Sequence, residues 1–142
     1  MSFNSRWSTI RLGDVAKVIS GFAFKSQSFQ AVGIPVIKIK NIRIGTVDLS
    51  EIEYVDDYFS CLDRKFHVKK GDLLISLTGS HLSQPNSVVG RVALYPFLKY
   101  CLLNQRAGKI IVRDSETCSQ KFLFYLLFEK ETRYQIALRE CL

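Results

Sequence analysis

The sequence predicts a mixed α+β domain, with twisted β-sheets in the middle of the chain, a short helix before them and a long helix after them. Three observations carry this expectation. Apolar positions recur at helical spacing near the start, short β-branched runs bounded by Gly, Pro and Asn fill the middle, and residues 119–139 contain neither Gly nor Pro. The chain has 142 residues, 47% hydrophobic and 23% charged, which is enough for one core. No repeat, low-complexity tract or linker divides it, so residues 1–142 are read as a single domain.

Leu12, Val15, Ala16 and Ile19 predict a helix over residues 8–20, stopped by Gly21. From Val36 to Lys40 the period changes to two. Ile37 and Ile39 fall on one face and Lys38 and Lys40 on the other, as in a half-buried strand. After Asn41 the apolar positions move from odd to even numbers, at Ile42 and Ile44, as happens when a turn or bulge reverses the register. Gly45-Thr46 then opens a turn into Val47–Leu49. Lys69-Lys70-Gly71-Asp72 reads as another turn, and Leu73–Leu77 as a strand buried on both faces that ends at Thr78-Gly79. The polar stretch from Ser80 to Ser87 contains Pro85 and has neither period, so it is expected to be an exposed loop. Val88–Tyr95 and Gly108–Val112 are further strands, separated by Pro96. Phe122, Leu123, Leu126 and Leu127 form a helical stripe behind Ser119, a suitable N-cap. Lys130, Arg133 and Arg139 follow where the helix dipole favours cations, so the helix is expected over about 119–140.

The longest unbroken apolar run, residues 122–128, is far shorter than the ~20 residues of a membrane span. The opening residues show no apolar leader, and a cytoplasmic location is the default expectation. Cys61, Cys101, Cys118 and Cys141 include no CxxC pair and have no His nearby to complete a zinc set, so we expect free thiols and no metal. His67 and His81 have no Ser, Cys or Asp at a spacing that announces a triad. The chain carries no Gly-rich cofactor loop, no NPPY-like tetrapeptide, no Walker A sequence and no nuclease carboxylate motif. No catalytic residue and no cofactor are therefore assigned.

Charge is the more informative property. Twenty Lys and Arg against thirteen Asp and Glu leave +7, and they are sorted along the chain. Residues 15–47 hold Lys17, Lys25, Lys38, Lys40 and Arg43 without an acid, and residues 73–113 hold Arg91, Lys99, Arg106, Lys109 and Arg113 without one. Between these windows Asp48, Glu51, Glu53, Asp56, Asp57 and Asp63 form an acidic stretch. If both windows face one side, that side suits a polyanion. The polar loop supplies groups that read base edges: Gln84 and Asn86 for adenine, Arg91 for guanine, and Ser80, His81, Ser83 and Ser87 as adaptable partners. Lys25, Lys38, Lys40, Arg43 and Arg106 suit phosphates. Phe22, Phe24 and Phe29 are either a stacking platform for bases or part of the core.

Several segments, in order, resemble the target recognition domain of type I restriction-modification specificity subunits. Arg11-Leu12-Gly13-Asp14-Val15 followed by Ser20-Gly21-Phe22-Ala23-Phe24-Lys25-Ser26 looks like the family's opening motif. Residues 33–42 are similar to its first strand, and Gly71-Asp72-Leu73-Leu74-Ile75-Ser76-Leu77-Thr78-Gly79 to its next. Leu103-Asn104-Gln105-Arg106-Ala107 resembles its Asn-Gln element, and residues 122–127 its aromatic helix start. The resemblance implies a noncatalytic reader of duplex DNA with a target-recognition-domain-like fold. It would hold a methyltransferase subunit, and through it a restriction subunit, on the target. The family joins two such domains by long helices. One is present here, so a second recognition domain or a second copy is the implied partner, and the closing helix is the possible start of a spacer. Gly21, Gly71, Asp72 and Gly79 are expected to build turns with positive φ at the glycines. Asn104 and Gln105 either touch DNA or cap backbone groups. A protein-interaction module that docks a methyltransferase, or a remnant of a specificity subunit, is the alternative.

Overall fold

The computed structural model describes residues 8–79, 87–132 and 134–135. A single helical turn, α1 (Leu12–Val15), precedes the strands β1 (Ala16–Ser20), β2 (Phe29–Gln30), β3 (Ile34–Ile37), β4 (Glu53–Val55), β5 (His67–Val68), β6 (Leu73–Ser76), β7 (Val92–Leu94), β8 (Cys101–Leu103) and β9 (Ala107–Val112). Helix α2 (Gln120–Phe128) follows. The strands form two sheets, one of order β1-β9-β6-β7 and one of order β2-β4-β3-β8-β5. Their named pairs are antiparallel except β3 with β8, where Val36 lies beside Leu102 and Ile37 beside Leu103.

Side-chain alternation explains the layers. Leu74 on β6, Ile37 on β3, and Cys101 and Leu103 on β8 share the cluster between the two sheets with Val68, Ala93, Tyr95 and Ala107. Their neighbours Leu73 and Ile75 point the other way and pack beneath Leu123 and Leu127 of α2, together with Ala16, Val92 and Ile110. On the outer face of the second sheet, Ile34, Val36, Val55 and Leu102 pack against Phe24, with Phe22, Phe29, Phe59 and Leu62 partly buried around it. The mixed α+β class and the doubly buried strand at Leu73 are as expected.

Three elements differ from expectation. The helix predicted over residues 8–20 is confined to Leu12–Val15, and Ala16–Ser20 pairs with β9 from Ala16 opposite Val112 to Ser20 opposite Gly108. The helical spacing there was incidental. Only Ala16 of this strand is buried, and pairing along β9 satisfies a backbone that one helical turn cannot. The strand expected over residues 36–40 lies two residues earlier, and all four residues of β3 are buried. Lys38 ends it and Ile39–Asn41 make a 3-10 turn, which produces the change of register after Asn41. Finally, α2 closes at Phe128, because Glu129 is extended (ψ 135°), and helical backbone resumes at 130–132. Its last turn carries no cation to favour the carbonyl end. Phe128 instead lies against Gly45, where an added Cβ would stand 2.9 Å from the ring. Residues 136–140 of the expected helix lie outside the described residues.

Gly71 has the predicted positive φ, +90°. Gly21 does not, and its reason is proximity. Gly21 donates its N–H to the Ala107 carbonyl and Phe22 donates to that of Leu103, which threads the chain from one sheet to the other. A Cβ on Gly21 would overlap the backbone carbonyl oxygens of Leu103 and Asn104. Backbone cannot swing aside as a side-chain tip can. We therefore expect Gly21→Ala to lower stability by at least about 3 kcal/mol, read as a shifted urea midpoint with unchanged slope. A loss under about 1 kcal/mol would show that the crossing is looser than this packing requires.

Candidate nucleic-acid interface

Strand register brings distant basic residues to one rim. β1 ends at Ser20 opposite Gly108 and β6 ends at Ser76 opposite Ala107. Three connections therefore leave the same end of the first sheet: the segment after Gly21, the β8–β9 turn at Asn104–Arg106, and the β6–β7 connection. The second sheet joins them there. Phe22 bridges to Asn104, and the Asn104 N–H donates to the Ile37 carbonyl at 2.9 Å. Because β3 runs parallel to β8, the segment Lys38–Arg43 leaves from this end too. It folds back through Gly45, whose N–H donates to the Val92 carbonyl at 2.9 Å. Lys38, Lys40, Arg43, Arg91 and Arg106 thus collect along one rim, and Lys25 is exposed three residues beyond Phe22.

The charges are less segregated than expected. β3 and β4 pair Val36 with Glu53, and the Glu53 carboxylate accepts from Lys38 Nζ at 2.9 Å and Lys40 Nζ at 3.0 Å. Hydrogen bonds from Lys38 and then Lys40 hold the Glu53 carboxyl below its ordinary pKa of 4.5. Lys38 Nζ also lies 3.6 Å from the centre of the Phe29 ring. Arg43 pairs with Asp48 at 3.4 Å. Asn41, only 2% exposed, sets this geometry: its Oδ1 accepts from the Lys38 N–H at 2.9 Å and its Nδ2 donates to the Asp48 carbonyl at 3.0 Å. Asp48 and Glu53 therefore reach back onto the first basic window. The remaining described acids of that stretch include Asp56 and Asp63, which cap 3-10 turns through the N–H groups of Tyr58 and Lys65.

The second window is divided as well. Arg91 and Arg106 reach the rim, but Lys109 is buried at 7% exposure. Its Nζ donates to the His67 carbonyl at 2.7 Å and lies 3.5 Å from the Asp72 carboxylate. Arg113 sits at the far end of β9, where its Nε donates to the Gly13 carbonyl at 2.9 Å. A long-range tie of the kind Lys109 makes leaves no local signature, which is why the residue read as surface charge.

Ser80, His81, Ser83, Gln84 and Asn86 lie outside the described residues, but the roots of their loop are built firmly. The Ser76 hydroxyl donates to the Val88 carbonyl and accepts from the Arg91 N–H at 3.1 Å, and the Gly90 N–H donates to the Ser76 carbonyl at 2.9 Å. Gly79 is packed: an added Cβ would stand 2.8 Å from side-chain carbons of both Val88 and Val89. Ser87 departs from the expected exposed loop. It is 7% exposed and its Oγ accepts from the Val89 N–H at 3.4 Å, which fits a root rather than a surface for reading bases. Asn104 Oδ1 accepts from the Arg106 N–H at 3.4 Å and shapes the β8–β9 turn, leaving the side chains of Gln105 and Arg106 exposed. Asp72 shapes its own turn by accepting from the Lys69 N–H at 2.9 Å. The alternatives for the phenylalanines resolve to core: Phe22 and Phe24 meet edge to face at 5.0 Å, and Phe24 meets Phe59 at 5.2 Å.

Residues 4–139 match the family described as the type I restriction modification DNA specificity domain. The chain belongs to this family. Similar relatives are the type I restriction enzyme MjaVIII specificity subunit of Methanocaldococcus jannaschii, 27% identical over 133 residues, and the EcoBI specificity subunit of Escherichia coli, 26% identical over 133 residues. Those alignments cover 88% and 89% of this chain but only 29% and 23% of the relatives. The fold is similar to the HsdS subunit of Thermoanaerobacter tengcongensis, with a TM-score of 0.58 and 18% identity, over 90% of this chain and 28% of that one. A chain from a structural study of the assembly of a type I R-M system gives a TM-score of 0.57 at 19% identity, over 87% of this chain and 28% of that one. Seen on this specificity domain, the segments that carried the family resemblance are scaffold: Gly21 at the sheet crossing, Gly71-Asp72 at a turn, and Asn104 beneath the β8–β9 turn. Among the described residues, no helix is long and apolar enough to cross a membrane, and no group of three or more His, Cys, Asp or Glu could hold a metal ion.

Proposed function

We propose that this specificity domain binds duplex DNA sequence-specifically, as one recognition half of a type I specificity subunit, without chemistry of its own. One observation supports the reading most. Three separate chain segments deliver Lys38, Lys40, Arg43, Arg91 and Arg106 to a single rim beside the roots of the β6–β7 loop. In this division of labour Lys25, Lys38, Lys40, Arg43 and Arg106 contact phosphates, which position the domain, and Ser80, His81, Ser83, Gln84, Asn86 and Arg91 read bases. A methyltransferase subunit, and through it a restriction subunit, would be carried to the site, with a second recognition domain or a second copy reading the other half. A cytoplasmic location goes with this role.

Binding to random and selected duplexes across salt concentrations tests it. Five rim contacts to phosphate would give a log-log slope of about −4.5, and the two carboxylates already paired there reduce it toward about −2.7. A preference for the selected duplex should persist at high salt, where the phosphate contribution fades. A flat salt response with no preference would instead favour a module that only docks protein partners.

A further inference from the structure

We propose that Glu53 is an affinity-limiting residue, a carboxylate guard that lowers the phosphate-driven affinity for DNA by occupying Lys38 and Lys40. The inference rests on the DNA-binding reading above. One carboxylate, 38% exposed, accepts from two ammonium groups at 2.9 and 3.0 Å, so the strongest cationic pair on the rim carries a net charge of only +1. The same arrangement recurs a few residues away, where Asp48 sits 3.4 Å from Arg43. Arg106 makes no such ion pair among the described residues, so the guarding is selective within the rim. Both acids are held by backbone architecture: Glu53 by its pairing with Val36, and Asp48 by its carbonyl's bond to buried Asn41. Their placement is therefore not a chance meeting of flexible surface side chains.

The consequence for recognition follows from how the two kinds of binding are driven. Sequence-independent binding is almost entirely phosphate neutralisation with counterion release, so every lysine held by a carboxylate subtracts from it directly. Binding at the correct site also has base contacts from the neighbouring loop. At either kind of site a phosphate that reaches these lysines must first displace the Glu53 carboxylate, so the energy of the pair is lost from both complexes. The guard thus lowers affinity for all sequences alike and leaves the base contacts a larger share of the total.

The test uses the full chain and two labelled probes, a random-sequence duplex and a duplex selected from a random pool. Glu53→Gln keeps the side-chain shape and removes the charge. For the random duplex we expect the salt slope to steepen by about 0.9 and affinity at 0.1 M salt to rise about eightfold, the effect of one additional phosphate over a tenfold range of salt. Affinity for the selected duplex should rise by a similar factor, so the ratio between the two is kept. Glu53→Ala should act in the same direction, and neither change should matter in a K38M/K40M background. Unchanged or weakened random-duplex binding in folded E53Q and E53A overturns the inference, as does a gain confined to the selected duplex. A wild-type chain with a flat salt response removes the underlying reading, whereas a salt-dependent wild type with an indifferent E53Q overturns the guard alone.

Discussion

Asp72→Ala should lower the stability of the domain by about 3 kcal/mol, a fall of about 10 °C in melting temperature, although the residue sits in a turn. Its partner is the reason. Lys109 lies in the middle of β9, between Ile19 of β1 and Leu74 of β6, and only 7% of it is exposed. Its ammonium group crosses to the second sheet, donates to the His67 carbonyl at 2.7 Å and faces the Asp72 carboxylate at 3.5 Å. Removing the carboxylate leaves a desolvated cation with one carbonyl for company, and an unpaired buried charge costs about 3–5 kcal/mol. The lower end applies because the Asp72 side chain keeps 15% of its exposure. The same turn also loses the bond from the Lys69 N–H. The D72A/K109M double variant should recover most of the loss, because exchanging a whole buried pair for apolar groups is often neutral. Urea unfolding of the four-member cycle measures this, and additive losses from the two substitutions would refute the coupling.

That pair also marks where the sequence stops being legible. The run Leu73–Ser76 read correctly as doubly buried because its signal is local: apolar residues on both faces, bounded by a turn and a loop. Ser119 was legible as a cap for the same reason, and its Oγ accepts from the Phe122 N–H at 3.0 Å. By contrast β2, β4, β5 and β8 are two or three residues long, too short for a period to show. At residues 16–20 the spacing fitted a helix, but pairing with β9 overrode local preference. The rim was legible in part. Its cations could be named from the acid-free windows, yet the carboxylates that hold three of them arrive through the pairing of Val36 with Glu53 and through the buried amide of Asn41. Those are long-range facts. Asn41 had shown itself only as a break in alternation, and the break proves to be the 3-10 turn that aims Lys38 and Lys40 at one acid.

The largest expected effect belongs to the β6–β7 loop. Replacing residues 81–86 with a Gly-Ser segment of equal length should abolish preference for the selected duplex, a discrimination that in specific DNA binders spans roughly 10³ to 10⁷. The scaffold should survive, because the loop's anchors lie on either side of the exchanged residues. Ser76 binds the Val88 carbonyl and the Arg91 N–H, Gly90 binds Ser76, and Gly79 is packed against Val88 and Val89. Stability should therefore change by less than about 1 kcal/mol, since the described anchors are left intact. The salt slope should change by less than about 0.9, since no Lys or Arg occurs in residues 81–86. Gln84→Ala and Asn86→Ala should each relax specificity at one base pair by about 1–3 kcal/mol, whereas Lys38→Ala should weaken all sequences alike. The two kinds of variant separate positioning from reading. A loop-exchanged domain that kept its preference would move the reading function to the exposed side chains of Gln105 and Arg106 on the adjoining turn. One that lost preference and salt slope together would show that the loop positions the duplex as well as reads it. Retention of the slope with loss of preference is the outcome that the rim predicts, because its cations come from segments the exchange does not touch.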